Sequence, residues 1–235
     1  MPETSYQVHP IGIVHSCFKE KFGVPRQSAL APSASACLEL LPPYNSADAV
    51  QGLELVSHVW LQFVFHLSPI SNSLKVRPPR LGGNQRVGVF ATRSPVRPNQ
   101  LGLSVVRLER VECEAGSVRL WLAGVDLVDG TPVLDIKPYL PYVDAVPDAT
   151  NSLAPTAPEP VAVTIPEALG LSAPLAQLVI EVLAQDPRPA YQQVDPTRLY
   201  GMHLLDYNLQ WRYDAVGRIE VVALTPIAGL AGGPS

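Results

Sequence analysis

The sequence lacks the cysteine pattern of a disulfide-stabilised or zinc-binding protein. Its three cysteines are odd in number and form no CxxC pair, so we predict neither a disulfide framework nor a metal site from them. A run of about 18 apolar residues, which a transmembrane helix needs, is also missing. The first residues lack the basic start and apolar core of a signal peptide. We therefore expect a reduced, cytoplasmic protein that is not held in a membrane.

Negative charge is missing from a long central segment. Residues 55–108 contain no aspartate or glutamate, yet they hold seven of the 17 basic residues: Lys75, Arg77, Arg80, Arg86, Arg93, Arg97 and Arg107. The net charge of −4 therefore hides a strongly basic segment within an otherwise acidic chain. This asymmetry indicates a surface for an anionic partner, although a solvated basic face without a partner gives the same pattern.

The glycine-rich motifs of the common nucleotide-binding folds are absent as well. No GxGxxG follows a predicted strand, and the glycines at 83 and 88 have P-loop spacing without the lysine and hydroxyl residue that complete a P-loop. A nucleotide-like cofactor would therefore bind here in a manner unlike that of a Rossmann fold.

What the sequence does contain predicts a mainly β protein. Hydrophobic residues make up 47% of the chain, and 25 prolines disfavour a helical bundle. Residues 56–67 are almost all apolar, as in a central strand buried on both faces, and residues 117–122 alternate between apolar and polar. Residues 128–132 form a turn motif in which Gly130 can adopt a positive φ. Several such strands predict a closed or nearly closed barrel, with a weakly indicated helix near 48–54.

The chain changes character after the barrel. Prolines among small residues indicate a linker, and apolar residues from 175 to 183 then recur at helical spacing, with Asp186-Pro187 ending the helix. Two alternating runs, 209–213 and 220–224, predict a hairpin. The predicted organisation is a β-barrel domain over 1–144, a linker over 145–167 and a small α+β domain over 168–235.

Several polar groups are candidates for chemistry. Arg93 and Arg97 lie four residues apart on a proline-stiffened loop, which suits bidentate binding of a carboxylate or phosphate but also a solvated turn. Asp126, Asp129 and Asp135 are irregularly spaced and have no accompanying histidine, so a metal site receives little support. The segment 135–139 brings together Asp135, Lys137 and Tyr139, either as a catalytic cluster or as a salt-bridged strand end.

Taken together, the motifs resemble the TrmO family, also called TsaA-like or YaeB-like, over nearly the whole chain. The segments that carry the resemblance are Ile11–Ser16, Lys19–Gln27, Pro43–Val50, Arg77–Asn84, Gly88–Asn99, Asp126–Pro132, Asp135–Tyr139 and Ala184–Tyr191. The resemblance implies a non-Rossmann β-barrel that binds S-adenosylmethionine (SAM) and acts as a homodimer. It further implies methylation of N6 of N6-threonylcarbamoyladenosine, 3′ of the anticodon in tRNA.

The family's cofactor-binding segments map onto thirteen residues: Pro25, Arg26, Gln27, His66, Leu67, Arg93, Leu103, Asp126, Leu127, Val128, Asp129, Gly130 and Thr131. From the chemistry of SAM we expect Arg26 or Arg93 to bind its carboxylate and Asp126 or Asp129 its ribose. Leu67 and Leu103 would enclose the adenine. We expect Asp135, Lys137 and Tyr139 to form the catalytic cluster, with Asp135 as the general base.

The remaining polar candidates are expected to bind the tRNA substrate: Arg77, Arg80, Arg86, Arg97, Asp186, Arg188 and Tyr191. Arginines suit the phosphates and the threonyl carboxylate, and Tyr191 suits stacking on a base. Two other functions fit parts of the same pattern. One is a tRNA-binding or nucleotide-binding module without catalysis, and the other is a metal-dependent hydrolase that uses Asp126, Asp129 and His66.

Overall fold

A closed six-stranded β-barrel is the largest element of the computed structural model, which describes residues 5–78, 85–188 and 192–227. The barrel strands are β1 Gly12–Ser16, β2 Ser35–Leu40, β3 His58–Val64, β6 Leu101–Glu114, β7 Ser117–Ala123 and β8 Thr131–Pro138. They follow one another around the barrel as β1-β2-β7-β6-β3-β8, and each neighbouring pair is antiparallel. Between β3 and β6, β4 Lys75–Val76 and β5 Val87–Gly88 form a separate two-stranded pair. The prediction of a mainly β chain with a barrel is confirmed.

The alternation of side chains along β3 differs from the prediction. Val59, Leu61 and Phe63 point into the barrel and are fully or almost fully buried. The residues between them are only partly buried, because they lie on the outer face. The strand is therefore buried on one face rather than two, and it is shorter than the predicted 56–67. In β7 the predicted alternation is confirmed, with Val118, Leu120 and Leu122 inside.

The predicted turn at Gly130 and the weakly indicated helix near 48–54 are both present, each in a reduced form. Gly130 has a φ of +78°, as predicted for the turn before β8. The segment before this turn forms only an isolated bridge at Val128, so the turn does not join two full strands. The weakly indicated helix near 48–54 is a single turn, α1 Ala47–Val50, followed by a short 3-10 turn at Leu53–Leu55.

The C-terminal part forms a second sheet with one long helix. Its elements are β9 Val163–Thr164, α3 Ala173–Ala184, β10 Tyr200–Leu204, β11 Tyr207–Tyr213 and β12 Ile219–Pro226, and the sheet order is β10-β11-β12-β9. The short helix α2 Pro141–Asp144 precedes them and is bound to the barrel through the hydrogen bond from Trp60 to Asp144. The predicted helix and hairpin are confirmed by α3 and by the antiparallel pairing of β11 with β12. Within the predicted linker the chain is irregular up to β9. None of the helices in the described part of the chain is long and apolar enough to cross a membrane.

The segment 17–33, which follows β1, connects the barrel with the C-terminal part. Phe18 forms an antiparallel bridge with Leu204 of β10 and a parallel bridge with Val128, the residue that precedes the turn before β8. The N–H of Leu205 donates to the carbonyl of Cys17 at 2.7 Å. Further along the segment, Ser33 donates to the carboxylate of Glu181 in α3 through its N–H at 2.7 Å and its hydroxyl at 3.0 Å.

This arrangement predicts that Phe18 is one of the most costly side chains to remove. It is fully buried, so Phe18→Ala should lower the free energy of unfolding by about 3–5 kcal/mol, as measured by urea denaturation followed by circular dichroism. Phe90→Ala is the matched control, because Phe90 is 76% exposed and its removal should change the stability little. Equal effects of the two substitutions would contradict the central packing role of Phe18.

Candidate functional site

Three loops that carry predicted cofactor-binding residues meet at one end of the barrel. The N–H of Asp129 donates to the carbonyl of Phe18 at 2.8 Å, which joins the turn before β8 to the segment after β1. Lys21 Nζ donates to the carbonyl of Leu67 at 3.0 Å. A Cβ built on Gly130 would lie 3.9 Å from His66 Nε2, so His66 is adjacent to this turn. Predicted residues that are far apart in sequence are thus brought together.

A cavity of about 450 Å³ opens on the outer face of the barrel next to these loops. Its volume lies within the range of about 300–1,000 Å³ that is typical of small-molecule sites. The lining residues come from β3, β6 and the segments around residues 28, 93 and 139–144: Ser28, His58, Trp60, Arg93, Leu103, Ser104, Val105, Tyr139 and Asp144. Three of the predicted site residues, Arg93, Leu103 and Tyr139, are therefore in one cavity.

Asp126 has a buried carboxyl group that lies behind the wall of this cavity, because its hydrogen-bond partner Ser104 is opposite Leu61, which points into the barrel. Burial raises the pKa of this carboxyl to about 6, while hydrogen bonds from Ser104 and the Ser28 backbone and the charge of Arg93 act in the opposite direction. Its Oδ1 atom has no solvent-accessible surface and no hydrogen-bond partner among the described residues. A buried acceptor without a partner is costly, so a ligand donor that displaces the wall of the cavity to reach this oxygen would stabilise it.

Arg93 is held by the loop that follows β1. Its guanidinium donates to Oε1 of Gln27, whose own amide donates to the backbone carbonyl of Arg26. Arg26 and Arg93 are both exposed and Pro25 is buried, and the side-chain hydrogen bond that joins the two loops here is the one from Arg93 to Gln27. Arg97 is half-buried and donates to the carbonyl of Thr92 at 3.1 Å, an interaction that braces the 88–99 loop.

Several other predicted cofactor residues have structural partners in the turn before β8. Asp129 Oδ1 accepts from the N–H of Ser16 at 2.7 Å, and its Oδ2 is 3.2 Å from Lys19 Nζ. Thr131 is buried and its hydroxyl donates to the carbonyl of Val128 at 2.6 Å. The Leu127 side chain is in the core. Asp129, Thr131 and Leu127 therefore hold the turn in shape. Of the two acids, Asp126 is the one with an acceptor oxygen that has no partner among the described residues.

The predicted catalytic segment lies on β8, next to the cavity. Asp135 and Lys137 form an ion pair with a Nζ to Oδ2 distance of 2.6 Å. Asp135 is opposite Gln62 on β3, and Gln62 is opposite Leu103 on β6. Residues in register point to the same face, so Asp135 shares the outer face of the barrel with Leu103.

The predicted substrate-binding residues lie in two separate places. Arg77 and Arg86 are exposed near the β4–β5 pair, whereas Arg80 lies outside the described residues. In the C-terminal part, Arg188 donates to Asp186 Oδ2 at 2.9 Å, and Tyr213 donates to Asp186 Oδ1 at 2.7 Å. Tyr191 is also outside the described residues. No hydrogen bond in the described chain links this C-terminal cluster to the cavity.

The cavity contains residues that the sequence reasoning did not identify. His58, Trp60 and Asp144 were missed because the β3 segment was interpreted as buried on both faces and Asp144 as the start of a linker. Strict alternation along residues 58–64 is the signal that would have placed His58 and Trp60 on an outer face.

The geometry gives no support to the hydrolase alternative. Asp129 is occupied by Lys19 and Ser16, while Asp126 lies among Ser104, Ser28 and Arg93. Within residues 5–78, 85–188 and 192–227, no group of three or more histidine, cysteine or acidic side chains is placed to hold a metal ion.

Comparisons with known proteins agree with this architecture. Residues 13–145 match the model of the tRNA-methyltransferase O N-terminal domain, and residues 163–227 match that of the TrmO C-terminal domain. The chain is 50% identical over 234 residues to a tRNA (adenine(37)-N6)-methyltransferase of Escherichia coli, covering 95% of this chain and 99% of the relative. It is 52% identical over 235 residues to a putative S-adenosylmethionine-dependent methyltransferase of Pseudomonas aeruginosa, covering 96% and 99%.

The fold is shared with solved structures as well. A crystal structure of TrmO from Pseudomonas aeruginosa superimposes with a TM-score of 0.76 at 46% sequence identity, over 94% of this chain and 100% of that one. Both family models and these relatives cover the barrel and the C-terminal sheet together. The chain belongs to the tRNA-methyltransferase O family.

Proposed function

We propose that the protein transfers a methyl group from SAM to N6 of the adenine at position 37 of tRNA. The observation that carries this proposal is the outer-face cavity, where Arg93 and Leu103 lie near Asp126, whose Oδ1 has no hydrogen-bond partner among the described residues. Family membership and the activity for which the Escherichia coli relative is named support the same reaction.

The residues of the cavity fit the functional groups of SAM. The guanidinium of Arg93 suits the carboxylate of SAM, and Asp126 Oδ1 suits a ribose hydroxyl that needs an acceptor. Leu103 offers an apolar surface for the adenine, with His66 and Leu67 at the neighbouring turn. When bound, SAM supplies an electrophilic methyl group on a positively charged sulfur. Arg93 is preferred over the exposed Arg26 for the carboxylate, because Arg93 lines the cavity.

The methyl acceptor carries, in this proposal, a threonylcarbamoyl group on N6. Its nitrogen lone pair is delocalised into the carbamoyl group, so removal of the N6 proton makes the nitrogen a better nucleophile. Asp135 accepts that proton, and Lys137 balances the negative charge that develops on the carbamoyl oxygen. Most of the rate enhancement comes from holding N6 in line with the methyl group. The threonyl carboxylate also gives a role to an additional arginine of the basic segment.

The basic segment binds the anticodon stem-loop. Arg77 and Arg86 are exposed, as phosphate contacts require, and Arg80 and Tyr191 extend this set within the proposal. Arg97 supports the cavity by bracing its loop. On the C-terminal part, the ion pair with Asp186 orders the guanidinium of Arg188. The proposed ligand of this guanidinium is a phosphate of the RNA backbone.

The proposed assembly is a cytoplasmic homodimer, in which each chain has a barrel domain over 1–144, a linker over 145–167 and a substrate-binding domain over 168–235. The separate hydrogen-bonded sheets of the two parts support the division into domains. The exposed apolar side chains of Leu67 and Leu101 on the barrel part support a second copy as partner.

Methyl transfer to defined RNAs tests the proposed function. Anticodon stem-loops with and without the threonylcarbamoyl group on adenine 37 are incubated with methyl-labelled SAM. We expect label only in the modified stem-loop, and mass spectrometry should place it on N6. Label transfer that is independent of the threonylcarbamoyl group would contradict the finer substrate assignment. An absence of SAM binding at millimolar concentration by calorimetry would contradict the methyltransferase function itself and favour a non-catalytic RNA-binding module.

The buried Asp126 predicts opposite pH effects on stability and on cofactor binding. Because its pKa is raised to about 6, the folded protein holds a proton between about pH 4 and pH 6 that the unfolded chain releases. Stability should therefore fall as the pH rises through this window, by about 1–3 kcal/mol in wild type relative to Asp126→Asn. SAM affinity should rise over the same window in wild type only. Both roles of Asp126 would be contradicted if wild type and Asp126→Asn showed the same pH dependence of stability and of SAM affinity.

Asp135→Asn tests the proposed base. The substitution keeps the shape of the side chain but removes its ability to take a proton, so kcat should fall by about 100-fold or more at saturating SAM and stem-loop. Asp148→Asn is the matched control, because Asp148 is exposed in the irregular segment before β9. A wild-type turnover rate in Asp135→Asn, measured by label transfer, would show that Asp135 is not the base.

A further inference from the structure

Six of the nine residues that line the cavity fall into two groups of three. Ser28, Ser104 and Arg93 surround the carboxyl of Asp126 and form a polar group. The second group is aromatic. The rings of Trp60 and Tyr139 have centroids 6.1 Å apart, and those of His58 and Tyr139 are 6.4 Å apart. The polar group, with Leu103, accounts for the proposed contacts of SAM, and the aromatic group remains without a ligand.

The aromatic group lies on the outer face of the barrel because of the register of its strands. The carbonyl of His58 accepts from the N–H of Tyr139 at 3.0 Å, and Trp60 is opposite Lys137 of the proposed catalytic pair. Adjacent strands are about 4.8 Å apart, so a planar group that lies on Trp60 is one strand away from the ion pair of β8.

Asp144 fixes the orientation of the indole ring. Trp60 Nε1 donates to Asp144 Oδ2 at 2.9 Å, and the same oxygen accepts from the N–H of Leu140 at 2.9 Å. These two hydrogen bonds lower the pKa of Asp144, so the group remains a carboxylate at neutral pH. The indole is therefore preorganised before a ligand arrives, which reduces the entropy that binding would cost.

We propose that His58, Trp60 and Tyr139 form the stacking subsite for the purine base of the RNA substrate, with Asp144 as the positioning residue of Trp60. This proposal rests on the proposed function and adds the location of the methyl acceptor. Single-stranded bases are recognised largely by stacking on aromatic rings, and the exposed Arg77 and Arg86 of the basic segment are the proposed contacts for the flanking phosphates. The base then lies between the SAM-binding group and the Asp135–Lys137 pair.

Tryptophan fluorescence and two binding assays test the subsite. Trp60→Leu removes the stacking surface but keeps an apolar side chain, and it should weaken binding of the anticodon stem-loop by about 5- to 150-fold, the loss of stacking for one base. The dissociation constant for SAM should stay within about twofold, since stacking does not contribute to that site. Trp121→Leu is the matched control, because Trp121 is on β7 and does not line the cavity. In wild type, stem-loop binding should quench tryptophan emission, and Trp60→Phe should abolish the quenching.

The role of Asp144 is tested by a pair of variants. Asp144→Ala removes the acceptor for the indole and should raise the KM for the stem-loop while the KM for SAM is unchanged. Asp144→Asn retains an acceptor oxygen and should restore most of the wild-type KM. Equal losses in both variants, or a loss confined to the melting temperature, would overturn the positioning role.

Three other results would overturn the subsite. The first is a loss of SAM affinity in Trp60→Leu that is as large as its loss of stem-loop affinity. The second is stem-loop binding by Trp60→Leu at wild-type strength. The third is a changed oligomeric state of Trp60→Leu in sedimentation with no change in RNA binding. These results are separable from a failure of the proposed function. If wild type transfers no methyl group but Trp60→Leu still loses RNA binding, the methyltransferase proposal fails and the base-binding subsite stands.

Discussion

The double bridge made by Phe18 is the interaction on which the rest of the structure depends. One backbone position pairs with Val128 on the barrel side and with Leu204 on the C-terminal side, and its ring is completely buried. The segment that begins there continues to Gln27, which holds Arg93 at the cavity. A single stretch of chain therefore closes one end of the barrel, docks the second sheet and orients a residue of the proposed cofactor site.

The fold could be predicted from the sequence where a pattern was local. Alternation in residues 117–122, helical spacing from 175 to 183 and the hairpin after it all appear as expected, because the side-chain period fixes these elements directly. The strand around 58–64 was interpreted wrongly, since an outward Trp60 is as apolar as an inward residue. Its partial exposure depends on the closure of the barrel, which no short window of sequence specifies.

The sequence could predict which residues belong to the site, but not the role of each one. The spacing of the two acids at 126 and 129 gives no reason to separate them, yet the fold gives Asp129 two structural partners and leaves one oxygen of Asp126 unused. Arg93 and Arg97 differ in the same way, because one lines the cavity and the other braces its own loop. Such differences arise from contacts between distant segments, which no residue pattern encodes.

The alternation of β3 has a consequence for how members of this family can diversify. The inward residues Val59, Leu61 and Phe63 fill the barrel, while the outward residues of the same strand line the cavity or flank it. Substitutions at the outward positions of β3 therefore leave the packing inside the barrel unchanged. Recognition and stability can accordingly vary as independent traits on a single strand, so a change of substrate preference does not require a new core.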